Sequence, residues 1–95
     1  MQIRPGHERQ LLIYGRDYRL TIHQERCLVA LALNPQQPVS HERLILAVWA
    51  HEVVEPGNLA TIIASLRKLG VPVVTVTSRG YMLQMPPEEV SVAPV

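Results

Sequence analysis

Phenylalanine is missing from this chain, and the other aromatics are scarce: three tyrosines and one tryptophan in 95 residues. Core packing therefore falls mainly to Leu, Ile, Val and Ala. With 47 % apolar residues the chain can fill one modest core, as expected of a single small domain. A lone cysteine, Cys27, excludes an intrachain disulfide and fits a reducing compartment. No apolar run approaches the ~18–20 residues needed to span a bilayer. Arg4, Pro5 and His7 precede any apolar stretch, unlike the start of a secretory signal. A soluble, cytoplasmic chain without a membrane segment is the expectation. Excess charge is lacking too. The formal net charge is +1, short of the strongly basic balance of tight nucleic-acid binders, and it neither demands nor excludes such a partner.

Catalytic and metal chemistry are equally poorly supplied. His7, His23, His41 and His51 fall in separate elements without metal-ligand spacing and read as surface residues. There is no Gly-rich phosphate loop, nucleophile–base arrangement or carboxylate pair. No enzyme activity, cofactor or metal is expected. Cys27 sits on an apolar helical stripe and reads as a small core residue, with a redox switch as the lesser alternative.

What is present is a succession of capped helices between strand-like ends. Leu11–Tyr14 and Tyr18–Leu20 flank a turn at Gly15-Arg16-Asp17, and Met1–Arg4 offers a short edge strand. Two or three N-terminal strands are expected. Thr21-Ile-His-Gln24 is a capping box: the hydroxyl accepts from the N3 amide while the Gln24 side chain reaches back to the cap amide. The spacing predicts a first helix to about residue 33, closed by Asn34-Pro35. Ser40 caps a second helix over 41–49 that buries Leu44, Ile45, Val48 and Trp49. A loop from Ala50 to Gly57 follows, and Asn58 caps a third helix over 58–69. Gly70 stands at its C′ position, and Pro72 prevents continuation. Val73–Gln84 reads as a hairpin with Arg79 at its tip. Residues 85–95 read as a flexible tail without a fold of their own.

The third helix buries Leu59, Ile62, Ile63, Leu66 and Leu69 at steps of three and four. Its opposite face holds Gly57, Thr61, Ala64 and Lys68, with Ala60, Ser65 and Arg67 on the flanks. Small residues permit close approach to a DNA major groove, where hydroxyls can reach base edges or phosphates. A solvated, small, polar face is the plainer alternative. An arginine at a hairpin tip suits a minor groove or a phosphate.

From about Arg9 to Leu83 the chain resembles the OmpR/PhoB-type, ToxR-like winged-helix effector domains of bacterial transcription factors. The matching pieces are Arg9, Leu11 and Gly15 leading to Leu20-Thr21, then Asn34-Pro35 and Pro38-Val39-Ser40. They continue with Leu44 to Val48-Trp49, Leu66-Arg67-Lys68, and Thr75-Val76 through Arg79-Gly80-Tyr81. The resemblance implies an α+β winged helix-turn-helix: a short N-terminal antiparallel sheet, three helices and a C-terminal β-hairpin wing. It implies sequence-specific binding to double-stranded DNA, with the third helix in the major groove. Lys68, Thr61, Ala64 and Ser65 then face the groove, with Arg67 at backbone or core-edge acid groups. Ser40 and Arg43 lie at phosphate, and Thr75 and Arg79 act from the wing. For the loop with Glu52, Val53, Val54 and Glu55 two readings stand side by side: the valines fold back over the core beside Trp49, or, as the resemblance implies, the loop is a partner surface for RNA polymerase or a regulatory protein.

Between Ser40 and Gln84 only Arg43, Arg67, Lys68 and Arg79 oppose Glu42, Glu52 and Glu55. A monomer with so few cations is expected to bind weakly and to occupy repeated half-sites as a dimer or in tandem. The same scarcity leaves a competing role open, a winged-helix adaptor or anti-activator that binds protein instead of DNA. Asp17 is the only aspartate, so the chain carries no phospho-acceptor pocket of a receiver domain.

Overall fold

The computed structural model describes residues 1–50 and 56–94. Its order is β1 (Gln2–Arg4), β2 (Gln10–Ile13), β3 (Arg16–Arg19), α1 (Ile22–Ala32), α2 (His41–Trp49), α3 (Pro56–Lys68), β4 (Val73–Val76), β5 (Gly80–Leu83), a 3-10 turn (Pro87–Glu89) and β6 (Ser91–Val92). The α+β winged-helix expectation is borne out, with three α-helices, an N-terminal sheet and a C-terminal hairpin among the described residues.

The N-terminal sheet has the order β3-β2-β1-β6. Its β2–β3 hairpin turns more tightly than expected. Ile13 pairs with Arg16, so the loop is Tyr14-Gly15 alone, with φ of 48° and 74°. Two consecutive positive φ values give the turn twist that matches flanking strands, and Arg16 and Asp17 are drawn into β3. β1 is an interior strand, antiparallel to β2 and parallel to β6.

The expected flexible tail is the point of largest difference. Met85 is buried, and β6 adds a fourth strand. Ser91 donates to the Met1 carbonyl at 2.9 Å, and Ala93 donates to the Ile3 carbonyl at 2.9 Å. Val92 pairs with Ile3 and shares its inward face, where it packs on the core. Three side chains, Met85, Val90 and Val92, thus hold a segment whose prolines and glutamates resemble a linker.

The helices follow their caps. Thr21 Oγ1 accepts from Gln24 N at 3.1 Å and Thr21 N donates to Gln24 Oε1 at 2.9 Å, completing the capping box. Ser40 Oγ accepts from Arg43 N at 3.2 Å at the start of α2. α3 begins two residues before the expected cap, at Pro56, so Asn58 lies inside its first turn. Proline is favoured at the first helical position because the amide it lacks has no intrahelical acceptor there. At the other end Val71 N donates to Leu66 O at 3.2 Å and Gly70 N to Arg67 O at 3.0 Å. This Schellman closure needs the positive φ of 96° that Gly70 supplies.

One aliphatic core joins the sheet, the three helices and the wing. It includes Ile3, Leu11, Leu28, Leu31, Leu44, Val48, Ile63, Leu66 and Leu83. Trp49 is buried, as its place on the helical stripe suggests, and its ring lies 5.5 Å from that of His23. Cys27 is wholly buried, and desolvation pushes its thiol up to about 12. That environment suits a packing residue and opposes the thiolate that redox chemistry requires.

Two outcomes are expected. Truncation after Gln84 removes the burial of Met85 and uncovers the β1 edge. The denaturant midpoint should fall by the equivalent of at least about 2 kcal/mol, against no change for an unstructured tail. Ionisation of Cys27 is suppressed in the folded state only. Its effect on stability is therefore absent below the ordinary thiol value near 9 and destabilises as pH rises from there towards 12. Chemical denaturation at pH 7 and pH 10 should show a pH-dependent loss about 1 kcal/mol smaller in Cys27→Ala than in the parent.

Candidate nucleic-acid interface

α3 turns Leu59, Ile63 and Leu66 into the core and leaves Gly57, Ala60, Thr61, Ala64, Arg67 and Lys68 exposed. This is the division that its apolar period predicts. The hydroxyls on this helix are already committed. Thr61 Oγ1 donates to the Gly57 carbonyl at 3.1 Å. Ser65 is half-buried; its hydroxyl donates to Ile62 O at 2.7 Å and accepts from Gln24 Nε2 at 3.0 Å. Ser65 therefore ties α3 to α1, in contrast to its expected place in the groove. Gln24 serves two ends, its oxygen closing the α1 cap and its amide nitrogen reaching α3.

Arg67 also differs from expectation. Its Nε donates to Val73 O at 2.8 Å and its Nη2 to Thr75 Oγ1 at 3.0 Å, while its guanidinium carbon lies 6.0 Å from the Tyr81 ring centroid. The arginine and threonine expected at DNA are partners of one another. Lys68, the only lysine of the chain, is exposed at the end of α3 and shares a shallow cleft with Tyr14, Arg16, Tyr18 and Gly70. The sequence reading missed this proximity of Arg16. Its signal was the two-residue turn, which moves Arg16 from loop to strand.

The wing is fixed by backbone contacts. Val39 N donates to Tyr81 O at 2.8 Å, and Tyr81 N donates to Val39 O at 3.1 Å. The α1–α2 linker thereby joins β5 as a single-residue bridge. Gln36 N to Leu83 O at 2.8 Å extends the attachment. Gly80 makes the approach feasible. A β-carbon there would fall on the Val39 carbonyl oxygen and lie 2.8 Å from its carbon and 2.9 Å from Ser40 Cα. Its φ of 120° is a second reason for glycine.

At the hairpin tip, Thr77, Ser78 and Arg79 are exposed, and Arg79 N donates to Val76 O at 2.9 Å. Ser78 takes a positive φ of 63°. His41, Ile45, Leu59, Ala60 and Tyr81 line one small cleft, so α2, α3 and the wing converge on a common side. The His41 and Tyr81 rings are 5.2 Å apart. Arg43 is exposed one turn into α2, while the Ser40 hydroxyl is held by the cap. Glu52, Val53, Val54 and Glu55 lie outside the described residues. Among the described residues no group of three or more His, Cys, Asp or Glu is arranged to hold a metal. Among them, too, no helix is long and apolar enough to cross a membrane.

The family model described as "Transcriptional regulatory protein, C terminal" matches residues 15–83. The chain belongs to this family. It is a winged-helix domain of the OmpR/PhoB type, a class of DNA-binding regulators and not of enzymes. Among solved structures it is similar to the DNA-binding domain of Escherichia coli CadC, at 29 % identity and TM-score 0.75, covering 83 % of this chain and 81 % of that one. The C-terminal domain of NsrR, a lantibiotic response regulator of nisin resistance, follows at 26 % identity and TM-score 0.68, covering 82 % and 86 %. The DNA-binding domain of the response regulator AdeR, solved in complex with an intercistronic region, shares the fold at 14 % identity and TM-score 0.68, covering 81 % and 86 %. No curated protein sequence gives a significant match.

The close approach at Gly80 generates a test. Gly80→Ala forces the Val39 linker away from β5 and strains the backbone. It should destabilise the domain by at least about 2 kcal/mol in a denaturant titration. Gly57→Ala meets no atom within 4 Å and should be neutral or slightly stabilising.

Proposed function

We propose that this domain regulates bacterial transcription by placing α3 in the major groove of double-stranded DNA while Arg79 reaches a minor groove or a phosphate. The family match over residues 15–83 carries this reading. The exposed α3 face beside the wing supports the placement. Lys68 is the cation on that helix left free of the wing. Arg43 and the capped start of α2, with Ser40, approach phosphate, where a helix N-terminus favours negative charge. Ala64 and Thr61 permit close approach of the helix to base edges.

The finer partners follow from the same reading. Occupancy of repeated half-sites by two copies compensates for few phosphate contacts. The segment Glu52–Glu55 is assigned to RNA polymerase or another regulatory protein, with Val53 and Val54 as apolar anchors inside an acidic rim. The chain works in the cytoplasm, where such a partner and DNA are found.

Anisotropy titrations against genomic fragments at two salt concentrations test the reading. Binding should weaken with salt by a slope of only a few charges. Lys68→Ala and Arg79→Ala should each cost roughly 1 kcal/mol or more. Unchanged binding by the double variant would place the interface elsewhere. A parent chain that binds no duplex would favour a protein-binding adaptor.

A further inference from the structure

Arg67 is the one cation of α3 whose head group is engaged inside the molecule. Its contacts fall at three points of the wing. Val73 begins β4, while Thr75 and Tyr81 stand directly opposite one another in the β4–β5 register. The guanidinium therefore spans both strands of the hairpin. A planar fork suits this position, because two of its N–H groups address two acceptors while its central carbon lies over a ring. An ammonium at the same place is a point charge and cannot make the set. The stem leaves α3 next to Lys68 and three residues after Ala64, so the same residue belongs to the helix that reads and grips the element that flanks it.

We propose that Arg67 is a positioning residue for DNA recognition: it locks the wing against α3 and makes no phosphate contact of its own. This rests on the DNA-binding reading given above. With the wing locked, Arg79 and the exposed α3 face meet the duplex at a fixed separation, and binding loses little free energy to ordering the hairpin. With the lock removed, backbone bonds from Val39 and Gln36 still hold β5 at Tyr81 and Leu83, while β4 loses its side-chain tie to α3 and the turn that carries Arg79 is held from the β5 side alone.

The lock is testable in the free protein. In Arg67→Gln, hydrogen exchange at the β4–β5 amides should accelerate about tenfold while α1 amides keep their protection. Thr75→Val, a milder change on the exposed side of the strand, should give a smaller acceleration confined to the same amides. Wing protection unchanged in both variants overturns the proposal.

The second arm uses duplex DNA. Arg67→Gln should lose roughly tenfold in affinity with the salt slope of the parent, and Arg67→Lys should fail to restore it. Hydroxyl-radical footprints should lose the protection contributed by the wing and keep that contributed by α3. A slope reduced by about one charge, with affinity restored by Arg67→Lys, makes Arg67 a phosphate contact and overturns the proposal. If the parent chain binds no duplex, the DNA-binding reading falls and the positioning role with it. The exchange measurement then still reports whether Arg67 holds the wing.

Discussion

The wing depends on a place where two backbones come closer than any side chain permits. Gly80 lies against the Val39 carbonyl, and the paired bonds between Val39 and Tyr81 follow from that approach. The bridge ties the hairpin to the linker between α1 and α2, the linker that also ends in the Ser40 cap. The start of α2, the course of β5 and the orientation of Tyr81 are thus set together. Tyr81 presents its ring to His41 on one neighbour and to the Arg67 guanidinium on another. A glycine contributes here by what it leaves out.

Polar groups along the candidate interface follow a consistent division. Those on the flanks of α3 are used within the protein: Ser65 towards Gln24, Arg67 towards Thr75. The Thr61 hydroxyl, on the open face, is turned back onto its own helix. What remains outward is small and nearly uncharged until Lys68. A domain built this way has committed its hydrogen-bonding capacity to rigidity. The modest net charge of the sequence has the same consequence at longer range, since little field exists to draw a polyanion from a distance.

Local chemistry made most of the architecture legible. Capping residues identify the starts of α1 and α2, and Gly70 with Pro72 identifies the end of α3, because each satisfies or removes a backbone group within a few residues. The apolar period of α3 gives its outward face. The misjudged parts depend on distant partners. β6 forms because Ile3 lies beside Val92, nearly ninety positions away in the chain, and two residues of strand carry no readable alternation. Ser65 and Arg67 look like groove residues on a helical projection. Only the arrival of Gln24 and of the β4–β5 hairpin shows that their polar atoms are engaged. The resemblance to a known family supplied the candidate site's location, while the engagement of each side chain depends on the folded arrangement.

The strand that closes the sheet also sets an order of events. The amino group of Met1 donates to Glu89 O at 2.6 Å, across 88 positions of sequence. The β1 edge is therefore covered only when residues 89–93, far along the chain, are in place. Helices α1 to α3 and the wing close through shorter loops and can form before it. Contacts of such separation carry the largest loop-closure entropy and slow the final step of folding. During synthesis the helices and the wing can thus be complete while the sheet still presents an open β1 edge to other chains.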